Sequence, residues 1–480
     1  MAETTMGTWW LADFPQLKVP GYLRIDETHG WPWRLTVLGQ LPEPKPGWDN
    51  TVTLFGQTTS GLRTLFGAAP GDLHEHGWTD YEAVSVDWQS PVLFAGDHVT
   101  PDTTFRTASF TFPHLLEWYW ARLNGYVPPK GSIPDDLECE RLHEVELRSG
   151  ATLSVALIRR RTLGWAERSR SWRVEYTLTS DEGFSYADLS RVQWGLSRLH
   201  AIMLGTDVSV SQTTLWNDPA LGLGTVEVVK ASPATGEDWT GISPLFNAAE
   251  VDAGPFLRRW LDLASSAPTI AAAAAPGGAT GSMQGEIQDL CNAVEWLFAV
   301  IQGHENREVL AEDQAILDAM ASPTFSTRQR RRVRHLMTQS RQVTLEEKLI
   351  SLASMMGTES AAWLLGSVSD WAHVISRVRN SLTHGFLVPG HDDVRLLGDA
   401  GFSLTTVLQF ALLSHCGYIN ALCPVPGEML WAGGQLVRGT RDAYIVDRCN
   451  GLATRSGEWA LRATRLRNQK ATAPMESPES

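Results

Sequence analysis

Hydrophobic and polar positions change period partway along the chain, and the change divides it in two. Up to about residue 260, apolar and β-branched residues come in short alternating runs: Thr51–Gln57, Tyr81–Trp88, Phe105–Pro113, Glu144–Arg148, Thr152–Ile158, Ser171–Thr179, Val208–Trp216 and Thr225–Lys230. A period of two buries one face of a pleated strand, and the Gly, Pro and Asp residues between the runs are turn formers. Ser149-Gly150 stands where a hairpin would turn. Two helical stretches, near Ala187–Leu204 and Glu250–Leu263, interrupt the pattern. Fifteen of the 20 tryptophans precede residue 262, an aromatic load that suits the core or rim of a sandwich or barrel.

From residue 283 the period becomes helical. Ile287, Leu290, Cys291, Val294, Leu297, Phe298 and Ile301 mark one helix face, and a second helix is expected over about 305–320. Ser326 with Gln329, and Thr344 with Glu347, are capping-box pairs that open a third and a fourth. Leu345, Leu349, Leu352 and Met356 form the fourth helix's stripe, which Gly357 ends. A fifth carries Val368, Trp371, Ile375, Val378 and Leu382; a sixth, around Leu404–Leu422, is the most apolar. Short connections make such helices antiparallel neighbours in a bundle. Residues 264–282, ASSAPTIAAAAAPGGATGS, lack an amphipathic period and predict a linker. The expectation is an α+β multidomain chain: a β-rich domain over 1–263, a linker over 264–282, an all-α bundle over 283–465 and a disordered tail over 466–480.

The 480 residues exceed what one hydrophobic core usually serves, which agrees with two domains. No uninterrupted apolar run approaches the roughly 18 residues of a membrane helix, and the opening MAETTMGTWWLADFPQ lacks the basic and apolar regions of a secretory leader. A soluble cytoplasmic protein with no membrane partner is the expectation. Five cysteines, an odd number with no CxxC pair, argue against a disulfide framework or a thiolate zinc site. The net charge of −14 is unevenly placed: residues 1–282 hold 33 acidic and 21 basic side chains, residues 283–470 hold 19 of each. Such acidity excludes a non-specific nucleic-acid coat but leaves room for a local basic site in the second half.

Phosphate-loop, HExxH and GxSxG signatures are absent, and Gly222-Leu-Gly224 lacks the third glycine of a dinucleotide loop. His74-Glu75-His76, with Asp72 and Asp80, reads as a solvated, turn-rich loop rather than a metal site. Ser326–Val343 carries Arg328, Arg330, Arg331, Arg332, Arg334 and Arg341 without an acid. Three readings stand for it: a solvated helix face, a set of RNA phosphate contacts, or a contact to the acidic N-terminal region.

The segment WAHVISRVRNSLTHG, residues 371–385, carries Arg379, Asn380 and His384 late in an amphipathic helix. Histidine exchanges protons near neutral pH, arginine offers a fixed fork of donors to a phosphate, and asparagine can donate to the phosphate or orient a base. The bare Arg-x4-His pattern also occurs at Arg24…His29 and Arg330…His335, so context must discriminate. On an ideal helix, His384, Arg377, His373, Asn380 and Asp370 lie opposite the apolar stripe, while Arg379 is about 140° from His384. Either the helix breaks around Ser381–Thr383, or Arg377 is the better partner of His384. A plainer alternative pairs Arg379 with Glu295 structurally and leaves His384 to cap a helix end.

RN followed by three residues and His-Gly, with the acidic Glu295 of AVEWLF upstream, resembles the signature of the HEPN superfamily of helical bundles. The whole layout is similar to ApeA-like anti-phage proteins, to which GYLRID…WRLTVLGQ, TLFGQTT and FTFPHLLEWYW also have a likeness, over roughly residues 5–425. The resemblance implies an abortive-infection effector: a β-rich sensor of a phage-derived trigger, then a metal-independent endoribonuclease without cofactors, acting on RNA, with tRNA a candidate by family. Arg379, Asn380 and His384 would be catalytic, supported by Arg377, Asp370 or Glu295, and a homodimer or higher homo-oligomer would be the working form. A catalytically inactive HEPN scaffold or RNA-binding module is the alternative.

Overall fold

The computed structural model describes residues 4–25, 31–42, 51–78, 81–115, 118–119, 139–163, 168–217, 225–229, 248, 251–276, 282–303, 315–316, 318–320, 326–333, 343–383, 391–418 and 456–472. It divides into two compact units. The first is Met1–His200 with Val208–Thr240 and Asn247–Ala249; the second is Glu250–Ser480 with Ala201–Asp207 and Gly241–Phe246.

The first unit is built on one antiparallel sheet. Its strands are β1 (Thr5–Leu11), β2 (Val19–Ile25), β3 (Trp33–Leu38), β4 (Val52–Thr58), β5 (Gly61–Trp78), β6 (Tyr81–Ser90), β7 (Val92–Gly96), β8 (Thr104–Thr111), β9 (Cys139–Glu146), β10 (Thr152–Leu163), β11 (Arg168–Ser185), β12 (Gln212–Trp216) and β13 (Val226–Val229). The order is β4-β1-β2-β3-β6-β5-β7-β13-β12-β8-β11-β10-β9, and β4 also pairs with β5. That extra pairing closes β1, β2, β3, β6, β5 and β4 into a six-stranded barrel. The long β5 makes closure feasible: its first half pairs with β4 and β7, and its second half, past a register shift at Pro70/Leu73, pairs with β6.

Trp9, Leu11, Leu23, Trp33, Leu35, Val37, Leu54, Leu65 and Trp88 fill the barrel. Trp9 occupies space that two glycines leave: a Cβ on Gly56 would lie 2.4 Å from its ring and one on Gly21 would lie 3.1 Å away. Asp87 is 2% exposed, accepts from Arg34 Nε (2.7 Å) and Thr36 Oγ1 (2.5 Å), and so keeps a buried charge compensated. The tryptophans Trp9, Trp10, Trp33, Trp88 and Trp118 are buried, as core packing requires.

Beyond the barrel, α1 (Tyr186–Leu204) lies against the rest of the sheet. Gln193 donates to Thr213 at 2.9 Å, and Tyr186 packs edge-on against Phe66 and Phe94. Near its end, His200 sits 3.2 Å from Tyr176 Oη among Phe112 and Trp118. Gly150 turns the β9–β10 hairpin with φ +80°, a conformation glycine adopts freely.

The second unit is helical: α2 (Ala253–Ser266), α3 (Pro268–Ala274), α4 (Met283–Gln302), α5 (Leu345–Ser354), α6 (Thr358–Leu365), α7 (Val368–Thr383), α8 (His391–Cys416) and α9 (Ser456–Thr472). Both capping boxes form. Thr344 accepts from the Glu347 amide while Glu347 reaches back, and Ser326 and Gln329 do the same at the start of the helical turns over 327–333. The stretch Val394–Cys416 of α8 is long and apolar enough to cross a membrane, and 78% of its most apolar window is buried, as in a core helix.

Four expectations need correction. The linker over 264–282 contains the end of α2 and all of α3, because Pro268 opens a helix of alanines, the best helix former. Ile270, Ala271 and Ala274 are buried, and Gln409 of α8 donates to the Ala274 carbonyl at 2.8 Å. The domain boundary at 263 accordingly moves to about 250, with α2 in the helical unit. The tail over 466–480 is helical to Thr472, as part of α9. Finally, Asp72 and His74–His76 lie in strand β5, with His74 opposite Ser85 and His76 opposite Ala83, and not in a loop. Asp80 lies outside the described residues, as do most of the expected helix at 305–320 and the end of the sixth beyond Tyr418.

Candidate functional site

The residues singled out in 371–385 sit on α7. The helix starts where Ser367 Oγ accepts from the Asp370 amide (3.2 Å), and Asp370 places a carboxylate in the first turn, favourable to the helix dipole. Trp371, Ala372, Val374, Ile375 and Val378 are its buried side, and Trp371 Nε1 donates to Ser403 Oγ of α8 at 2.9 Å. This anchor fixes the rotation of α7 and therefore which polar residues are presented.

On the other side, His373 Nδ1 meets Glu346 Oε2 of α5 at 3.2 Å. Asp370 and Arg377 are half-buried, and Asn380 is exposed. Arg379 is half-buried and bears on α4. Burial pushes the Cys291 thiol up to about 12, while Arg379 draws it down and Glu295 raises it further. Arg379 and Glu295 therefore lie within electrostatic reach of one buried sulfur, which the spacing of Cys291 and Glu295 by one helical turn on α4 makes possible. Arg379 and Arg377 are thus separated: one belongs to the side that approaches α4, the other follows His373 by one turn.

The helix runs unbroken through Thr383, so no break falls at Ser381–Thr383. Thr383 Oγ1 instead donates back to the Arg379 carbonyl at 2.9 Å, a bond that lets a hydroxyl satisfy a carbonyl near the helix end. His384 lies outside the described residues. In the arginine-rich segment, Arg328, Arg331 and Arg332 are exposed and Arg330 is half-buried, whereas Arg334 and Arg341 lie outside the described residues.

Glu346 was not legible as a site residue, since only the packing of α5 on α7 brings it to His373; its place in the first turn after the Thr344 cap gave no separate signal. Among the described residues, no group of three or more His, Cys, Asp or Glu side chains is placed to hold a metal ion.

A closed β-barrel continued into an open sheet, followed by a helical unit, defines a two-part protein with a β-rich N-terminal region. Residues 5–260, more than half of the chain, match the family model described as ApeA N-terminal domain 1, and the chain belongs to the ApeA family of anti-phage defence proteins. No curated protein and no solved structure matches it.

Proposed function

We propose that the chain is an abortive-infection effector whose helical unit is a HEPN endoribonuclease with its site on α7. The observation that carries this reading is the placement of Arg379, half-buried and within electrostatic reach of Cys291, which Glu295 also reaches, next to the exposed Asn380 at the end of α7. The family of residues 5–260 supports it.

The chemistry these residue types serve is attack of an RNA 2′-oxygen on the adjacent phosphorus. One histidine takes the 2′-OH proton as the new P–O bond forms. The bond to the 5′-oxygen breaks, and that oxygen takes a proton from a second histidine, leaving a 2′,3′-cyclic phosphate and a 5′-hydroxyl. Arg379, or Arg377 on the neighbouring side, offsets the charge that develops on the phosphate, and Asn380 orients it. Each chain supplies one RN-x3-H element, so His384 of two chains would act across a two-fold axis through the 367–384 helix, in an isologous homodimer. RNA is the substrate class, tRNA a candidate within it, and a phage-derived molecule the trigger.

Purified full-length protein incubated with total RNA, with and without EDTA, tests this. Wild type should cut in both conditions and His384→Ala in neither; cutting by His384→Ala at the wild-type rate refutes the assignment. A second reading, a non-catalytic HEPN scaffold, draws on the same placement of Arg379, since an arginine and a glutamate that both act on the buried Cys291 can also serve structure alone. RNA binding without cleavage by wild type would select it.

A further inference from the structure

Among the described residues, β10 and β11 pair with each other beyond their last partners in β9 and β8. The partner of β10 in β9 nearest the tip is Cys139, opposite Ile158, and the partner of β11 in β8 nearest the tip is Phe110, opposite Tyr176. Beyond these, the described pairings are those of β10 with β11 alone, from Arg159↔Trp172 to Leu163↔Arg168. At ~3.3 Å per residue this two-stranded ribbon extends roughly 15 Å.

Residues directly opposite in an antiparallel pair share a face, and the face alternates with each residue. The pairs Leu153↔Leu178, Val155↔Tyr176 and Leu157↔Val174 are buried and form the core face. The same face continues as Arg159↔Trp172, Arg161↔Arg170 and Leu163↔Arg168. The residues at these register positions therefore change from apolar to basic beyond the last described pairings with β9 and β8. Four arginines and a tryptophan fall in three successive cross-strand pairs, and Arg161 and Arg170 are direct partners. Like charges directly opposite each other destabilise a sheet, so the arrangement costs folding free energy.

The concentration is unusual for its surroundings. Residues 159–173 hold six of the 21 basic residues found in 1–282, all of them arginine, and Glu167 is the single acid among them. Arginine's planar fork matches a phosphate, successive same-face positions recur every ~6.6 Å along a strand, and an indole offers a stacking surface for an unpaired base. An acidic protein partner would equally accept lysine and has no use for the indole.

We propose that the β10–β11 ribbon is a binding element for single-stranded nucleic acid, with Arg159, Arg161, Arg168 and Arg170 taking phosphates and Trp172 a base. It lies in the β-rich unit and is independent of any nuclease activity in the helical one. It gives that unit a way to engage a phosphodiester strand.

The test uses full-length protein and fluorescein-labelled 20-nucleotide single strands, one of 2′-O-methyl RNA, which lacks the hydroxyl needed for self-cleavage, and one of DNA. Anisotropy titrations over 50–300 mM salt (about the range in which phosphate contacts dominate) give affinity and salt slope. R161Q/R170Q should weaken binding about tenfold or more and flatten the log K against log salt slope by about 1.4, two contacts at about 0.7 each on a single strand. R161K/R170K should keep most of the slope. Trp172→Ala should weaken single strands and leave a duplex of the same length unaffected. Comparison of the two probes decides between RNA and DNA. The proposal is overturned if wild type binds neither strand at 50 mM salt, or if both the glutamine pair and Trp172→Ala, with unchanged melting, bind as wild type. It is also overturned if polyglutamate of equal charge displaces the probes as well as unlabelled strand does, which would indicate an acidic protein partner, or if the loss appears only on charge reversal at Arg328 and Arg331.

Discussion

Acidification should destabilise the β-rich unit through His200. This side chain is 1% exposed, with Tyr176 as its hydrogen-bonding neighbour and aromatic rings around it, so burial holds its pKa down from 6.5 to about 3. Between those values the unfolded chain binds a proton that the folded chain refuses. Stability therefore rises with pH there: the contribution is full above 6.5 and is lost as pH falls towards 3. At about 1.4 kcal/mol per pH unit, the loss reaches about 2 kcal/mol at pH 5 and about 3 kcal/mol at pH 4. His200→Gln keeps a hydrogen-bonding group near Tyr176 and removes the titration. Urea melts from pH 7.5 to 4.5, with hydrogen exchange of peptides within Tyr186–His200 of α1 to report this unit alone, should show wild type more stable than the variant at neutral pH. The gap should close by about 1.4 kcal/mol per unit below pH 6.5. A wild-type-minus-variant difference that stays constant with pH would refute the reasoning.

Other outcomes follow from particular contacts. Asp87→Ala leaves Arg34 without its buried partner and should cost about 3 kcal/mol, a fall of several degrees in the melting temperature of the β-rich unit; a loss under about 1 kcal/mol would mean that Arg34 finds another partner. Gly56→Ala drives a methyl into the Trp9 ring and should cost about 1–3 kcal/mol, whereas Gly150→Ala meets no atom and loses only conformational ease, so a thermal-melt ranking of the two tests the barrel packing. If the site is shared between two chains, mixing His384→Ala with wild type should depress activity below the average of the two; linear tracking of the wild-type fraction contradicts it. Charge reversal at Arg331 and Arg334 should weaken RNA affinity similarly across sequences and flatten the salt slope, and an unchanged slope leaves that segment a solvated helix face.

The local elements were legible because period and capping are local. Tyr81–Ser90, Thr152–Leu163, Leu345–Ser354 and Val368–Thr383 appear close to where alternation, a capping box or an apolar stripe placed them. The misreadings have local causes as well. Alanines in 264–282 carry no amphipathic signal, yet they favour a helix once Ile270 and Ala274 find a core. His74 and His76 sit among turn formers but inside the longest pairing of the barrel, where β6 supplies hydrogen bonds that the sequence does not announce.

Within the candidate site, the residue types of α7 and the opposition of its polar and apolar sides follow from sequence and helix geometry alone. Which polar residue meets which neighbour does not. Arg379 reaches the surroundings of Cys291 and Glu295 from 84 or more residues away in sequence, and His373 meets Glu346 across 27, because Trp371 and its stripe lock the rotation of α7 against other helices. Barrel closure is of the same kind, since the β4–β5 pairing is one more edge contact that no alternating run specifies. A chain encodes its periods residue by residue. Its pairings are decided by free energy gained only when distant surfaces are buried together, and for this protein those pairings, rather than the motif, set the company that Arg379 and the arginine ribbon keep.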